Sequence, residues 1–324
     1  MATAENAKLE YEAGQAAVAM SALTDSGDRT IFTSAASIWS GRSGYAPTVR
    51  PNGLLTGGAI TPAVTNNVVS VAALTCNLAG VVTSVAGAPV TITRPAGNVA
   101  KVISITVTSA GALAALAGTD GATTAFVETR GAAGGPPLIP VGSIEIGQVR
   151  VTSSTAAAVA ASEIFSVVGL HVERADFPLF DLDYTEGAAR FLAALPAIHT
   201  GSLPKGVYAS YASPIFGEVA LASDFVPPET SHSVSSTQIY GTTLGSTSST
   251  LGQGSFTAYL TNGISDGLIG LKNETLWFRF YPDRYQASYL LTQGKLGIAR
   301  TFPAGDQIQA ACTISASAAA VEVA

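Results

Sequence analysis

The sequence predicts a mainly β chain, built as antiparallel β-sandwich or barrel domains with one or two short helices. Three observations predict it. Residues 101–108 (KVISITVT) alternate, with Ile103, Ile105 and Val107 on one face and Ser104, Thr106 and Thr108 on the other. Residues 307–316 alternate likewise, setting Ile308, Ala310, Cys312 and Ile314 against Gln307, Gln309, Thr313 and Ser315. A period of two is that of a strand with one buried face. Finally, Gly80, Gly87, Gly97 and Gly111 punctuate the apolar runs at the spacing of a sandwich or barrel.

Taken in order, the chain opens with an Ala/Ser/Thr-rich stretch, a turn at Asp25-Ser-Gly-Asp28 and a strand over residues 29–39. Residues 51–127 carry three charges, Arg94, Lys101 and Asp120, and include a second alternating run, PVTITR at 89–94. The string GAAGGPP at 131–137 is a break. In GSIEIGQVRVT, residues 142–152, Ile144 and Ile146 share one phase while Val149 and Val151 have the other. The shift falls at Gly147, where one extra residue would make a β-bulge. Residues 155–161 form an alanine-rich link with one or two helical turns.

With 324 residues, two domains are expected. The boundary is placed near Gly169, giving a β-rich domain over 1–169 and a second over 170–324. Acidic and aromatic residues return beyond it. Residues 187–195 (GAARFLAAL) read as a short helix ended by Pro196, with the acidic run at Asp181, Asp183 and Glu186 capping it. Strands are expected at 232–240 and 256–261. Between them lies GTTLGSTSSTLGQG, residues 241–254, too long for a tight hairpin turn. It reads as a loop ordered by a partner, bounded by Gly241 and Gly254, with Leu244 and Leu251 as its large apolar anchors. Residues 266–274 form a short helix or turn, TLWFRFY at 275–281 an aromatic strand, and 294–301 another strand. A turn at Pro303-Ala-Gly-Asp306 then makes a hairpin with the closing strand, whose core face carries Ile308, Cys312 and Ile314.

Composition excludes several functions. Charged residues are 12% of the chain, against about 25% in ordinary soluble domains. A protein with so few charges hides much of its surface against partners. The net charge of −6 argues against a basic nucleic-acid-binding face. Mean hydropathy is +0.36, yet Ser, Thr, Gly or Asn interrupts every apolar run before it could span a bilayer. The opening MATAENAKLEYEAG lacks the basic-then-apolar pattern of a secretory signal, so no membrane segment or signal is expected. Cys76 and Cys312 each sit in an apolar alternating run and read as free buried thiols. The three histidines have no paired spacing, and Asp181-Leu-Asp183 lacks the ligand rhythm of a calcium loop. The strings GQGSF and GRSGY lack a nucleophile elbow, and no phosphate-cradling loop precedes Gly294-Lys295. No catalytic residue, cofactor or metal is therefore expected, and the chain reads as a structural protein rather than an enzyme.

The succession of a helix-like segment at 266–274, an aromatic strand at 276–281, a strand at 295–300, the Pro303–Asp306 turn and a closing strand at 307–315 resembles the carboxy-terminal part of the major tail tube proteins of long-tailed bacteriophages. The Ser/Thr/Gly stretch before it is similar to the long loop by which such proteins reach neighbouring subunits. The resemblance covers residues 172–320. The first half fits as a second, related β-domain or an added outer domain. What the resemblance implies is a virion protein, assembled in the host bacterial cytoplasm, that forms stacked hexameric or pseudo-hexameric rings. Its partners would be copies of itself and other tail proteins (tape measure, terminator and tip). Genomic DNA would pass through the lumen without specific binding. Two alternatives stay open: a tail tip or fibre protein with a receptor- or glycan-binding sandwich, and a capsid decoration protein.

Overall fold

The computed structural model describes residues 5–324; residues 1–4, the start of the amino-terminal stretch, lie outside it. The expected mainly-β architecture is what the chain adopts. Strands run from Lys8 to Val323 in several antiparallel sheets. Among the described residues, the helical content is two short 3-10 turns, Ala161–Glu163 and Ile269–Leu271. The second falls inside the 266–274 segment expected to turn. The first follows the alanine-rich link, which is itself irregular.

The chain forms two compact units. One comprises the residues up to Ala17, Ile38–Pro47 and Tyr211–Ala324; the other comprises Val18–Ser37 and Thr48–Ser210. Gly169 lies inside the second of these. The changeovers at Ala17 and Ser210 fall within the strands Lys8–Ala22 and Val207–Glu218.

In the carboxy-terminal unit, the strands Ala222–Val226, Gly254–Leu260, Ile308–Ala316, Tyr289–Thr301, Thr275–Tyr281, Lys8–Ala22 and Val207–Glu218 lie side by side in that order. The expected hairpin is present: Thr301 pairs with Gln309, and the ladder runs on to Gly294 opposite Ala316. Leu276, Phe278, Leu296, Cys312 and Ile314 form the centre of its core, with Phe256 tilted against Phe278 at 5.9 Å between ring centroids. Full burial of each large aliphatic or aromatic side chain contributes about 1.5–3 kcal/mol.

The second unit holds four smaller sheets, three of which share one apolar cluster that includes Val69, Val71, Cys76, Ile103, Ile105, Ile144 and Val149. The β-bulge is where the phase shift placed it. Ile105 pairs with Gly147 but Thr106 with Glu145, so Ile146 is the extra residue in the strand Ile144–Val151.

Two expectations are corrected here. The strand Lys101–Val107 is buried on both faces rather than one. Its polar face is covered because the Ser104 hydroxyl donates to the buried carboxylate of Glu145, which also accepts from Arg130 and from Gln148 at 3.1 Å. A polar face can be buried when its groups are hydrogen-bonded. The second correction concerns residues 187–195, which hold no helix. Ala188–Phe191 is a strand between Phe180–Asp183 and Ile31–Thr33. Asp183 accepts the backbone N–H groups of Thr185 and Glu186 at 2.9 and 3.0 Å, and Gly187 has φ +57°. The carboxylate read as a helix cap thus closes a β-turn. Pairing on both sides outweighs the helix propensity of the alanines, a small term per residue.

Candidate assembly interface

The most distinctive surface element is a long hairpin. The strands Thr230–Ile239 and Thr242–Leu251 pair with each other along their whole length, from Thr230 opposite Leu251 to Ile239 opposite Thr242. They form a two-stranded sheet of their own. At about 3.3 Å per residue, ten-residue strands extend roughly 33 Å. Every described side chain of the hairpin is exposed except Leu251, which is half-buried at its base.

Residues 241–254 are therefore not a loop. The turn is the dipeptide Tyr240-Gly241, with Gly241 at φ +83°, a conformation glycine adopts without strain. Leu244 lies in the returning strand, opposite Thr237, and is 62% exposed. Leu251 closes the ladder. Gly254 lies beyond the hairpin, buried at the start of the strand Gly254–Leu260 and opposite Ile314. A Cβ there would meet Pro228 Cδ at 2.9 Å, so the position needs glycine for close packing. Sequence reading missed the ladder because its stabilising pairs are small: Ser233 and Ser248 share a hydroxyl hydrogen bond at 2.7 Å, and Ser235 and Ser246 one at 2.6 Å. Cross-strand hydroxyl pairs contribute roughly 0.2–1 kcal/mol each. The available signal was the run of Ser and Thr on both sides of a Tyr-Gly pair.

Two features make the hairpin suited to binding another chain. Each strand has an outer edge with unpaired backbone donors and acceptors, the template for strand addition. Residues 230–251 contain no Asp, Glu, Lys or Arg, and the surface displays Val234 at 78% exposure, Leu244 and a fully exposed Tyr240. Val234 and Leu244 stand on opposite faces, since Val234 pairs with Thr247 and Leu244 with Thr237.

The predicted core-hairpin residues lie in the strand Ile308–Ala316. Cys312 and Ile314 are buried and Ile308 is half-buried. Both cysteines are free and buried, and burial pushes the Cys312 thiol up to about 12. The aromatic strand Thr275–Tyr281 buries Leu276, Trp277 and Phe278 in succession, so it too is covered on both faces.

Glu173, His199 and Lys205 are tied to structural partners. Glu173 accepts the backbone N–H of Glu145 at 2.8 Å and contacts His199 Nε2 at 3.0 Å. Burial alone would lower the His199 pKa, but the hydrogen bond and charge of Glu173 outweigh it and raise it. Lys205, 4% exposed, donates to the carbonyls of Arg174 at 2.5 Å and Phe177 at 2.8 Å, and burial lowers its pKa to about 8. Among the described residues, no group of three or more His, Cys, Asp or Glu could hold a metal ion. No described helix is long and apolar enough to cross a membrane.

The fold and this surface define an antiparallel β protein carrying an unpartnered hairpin. No family model and no curated protein matches the chain.

Proposed function

We propose that the chain is a structural virion protein that assembles with copies of itself into stacked rings, the tube of a phage tail. The observation that carries the reading is the Thr230–Leu251 hairpin, whose strands pair only with each other and whose surface is nearly uncharged. Such a surface loses little charge solvation when a neighbour covers it. A subunit contact made by an arm on a different surface is heterologous. It closes into a ring or continues from ring to ring. The net charge of −6 per subunit suits a conduit whose wall does not hold DNA phosphates.

Deleting residues 230–251 tests the reading. The deletion joins Glu229 to Gly252, whose backbone groups already meet at 2.8 Å (Gly252 N–H to Glu229 O). By electron microscopy at high concentration, the intact chain is expected to form regular tubes, and the deletion variant to stay folded without forming them. Tubes from the deletion variant would remove the hairpin from assembly. An intact chain that stays a monomer, or a compact trimer that binds glycan, would replace the tube reading with a receptor-binding one.

A further inference from the structure

The second unit contains a cleft of about 330 Å³ whose acidic lining residue is Glu128. Arg150, Arg130, Gln148 and His171 line it, with Pro136, Leu170, Pro196 and Ile198 as apolar wall. His171 is 5% exposed. Its Nδ1 accepts the backbone N–H of Val167 at 3.2 Å, so the proton of the neutral ring sits on Nε2. That N–H faces Arg150 Nη2 at 3.4 Å. Nη2 already donates to Glu128 Oε2 at 2.9 Å and to Gln148 Oε1 at 3.1 Å. Two donors therefore meet with no acceptor between them. Arg150 Nε is also buried without a hydrogen-bond partner, on a side chain that is 9% exposed. Buried donors of this kind are rare and call for a ligand or a function.

The geometry points to this cleft as a binding site for a carboxylate carried on an apolar body, its oxygens accepting from His171 Nε2 and the Arg150 guanidinium. The aromatic setting fixes the guanidinium: its centre lies 4.8 Å from the Phe165 ring centroid and 5.9 Å from that of Phe126. A planar, pre-oriented guanidinium suits a carboxylate. Glu128 is the present acceptor, at 2.6 Å from Nη1, and its side chain is 67% exposed, so an entering carboxylate has to displace it toward solvent. The two arginines are otherwise balanced by Glu128 and the buried Glu145, and His171 donates as the neutral ring, its Nδ1 being held as an acceptor by the Val167 N–H. In the free cleft, burial and the neighbouring Arg150 charge hold His171 below its ordinary pKa. The ring is therefore neutral at neutral pH and presents its Nε2–H to a bound carboxylate. Glu128, held low by its hydrogen bonds with Arg150, is ionised at neutral pH and competes for the guanidinium.

The test is a titration of the intact chain with sodium hexanoate and, separately, inorganic phosphate, read by the imidazole Cε1–H signals of its three histidines. Hexanoate is expected to move the His171 signal alone. Phosphate, with no apolar body, is expected to act more weakly. Glu128→Gln, at an exposed position that leaves the fold intact, removes the competing carboxylate. It should tighten hexanoate roughly two- to fivefold. Arg150→Gln should abolish the response. A His171 signal unmoved by hexanoate, an equal response of all three histidines, or unchanged affinity in Glu128→Gln would overturn the proposal. Phosphate binding as tightly as hexanoate would overturn the carboxylate assignment.

Discussion

The indole N–H of Trp277 donates to the backbone carbonyl of Trp39 at 2.8 Å, joining residues 238 positions apart in the chain. The backbone N–H of Trp277 reaches a second distant partner, Glu12 Oε2, at 3.2 Å. Glu12 is fully buried, and its other oxygen accepts from the Ser40 hydroxyl and from Gln15 Nε2. One strand, one amino-terminal carboxylate and one connecting segment thus share a single polar node inside the carboxy-terminal unit.

Glu12→Gln turns one of these acceptor oxygens into an NH₂ group among three donors. Loss of a buried hydrogen bond with an opposing donor left in place amounts to about 1–3 kcal/mol. Trp277→Phe, which deletes the indole N–H but keeps an aromatic ring, is expected to lose a similar amount. Urea denaturation should place both variants below the parent chain. Unchanged midpoints would mean that the node carries no stability.

Ile314 is fully buried opposite Gly254 and Leu296, whereas Ile308 is half-buried. Ile314→Asp should therefore be the more damaging, at several kcal/mol, because it places an unpaired charge in an apolar core. Ile308→Asp should be milder. Thermal melts give the order directly, and the reverse order would refute the assigned inward face.

On the exposed hairpin, Val234→Lys and Leu244→Lys touch no core. Each should change stability by no more than about 0.5 kcal/mol. Both should suppress polymerisation, since each places a charge on a face that assembly would cover. Sedimentation combined with a thermal melt separates the two effects; a large fall in melting temperature would show that the hairpin packs on its own subunit.

Gly53 has φ +148°, and a Cβ there would lie 2.5 Å from Arg174 C and Ala175 N. Both neighbours are backbone, so no rotamer change relieves the clash. Gly53→Ala should lose at least about 3 kcal/mol, combining backbone strain with displaced neighbours. Chemical denaturation with near-native stability would contradict the tight approach.

Lys205 gives a pH signature. Burial lowers its pKa from 10.5 to about 8, so between those values the unfolded chain holds a proton that the folded chain has released. Burying the charged amine penalises folding below about pH 8, and the penalty is relieved as pH rises toward 10.5. The gain over that window is roughly 3 kcal/mol. Subtracting the profile of Lys205→Met isolates it; a flat difference between pH 8 and 10.5 would place the amine in solvent.

Much of this molecule was legible in the chain itself. Apolar alternation pointed to the strands Lys101–Val107 and Ile308–Ala316 and an aromatic run to Thr275–Tyr281, because apolar residues at every second position mark a strand face that must be buried; that Lys101–Val107 and Thr275–Tyr281 are covered on both faces was not legible. A phase change beside a glycine likewise located the bulge at Ile146. Tertiary structure decided what local pattern leaves degenerate. The run GAARFLAAL is helical by propensity, yet its neighbours Phe180–Asp183 and Ile31–Thr33, the latter more than 150 residues earlier, draw Ala188–Phe191 into a sheet. The Ser/Thr run at 242–251 has no apolar alternation, so only the ladder to 230–239 reveals it as a strand. Arg150 of the strand Ile144–Val151 meets Glu128 and His171, 22 and 21 positions away, in segments outside the strands, and no local period encodes the meeting. Local energies favour a conformation by tenths of a kcal/mol per residue, whereas burial and pairing with distant segments contribute more, and they decide wherever the two disagree.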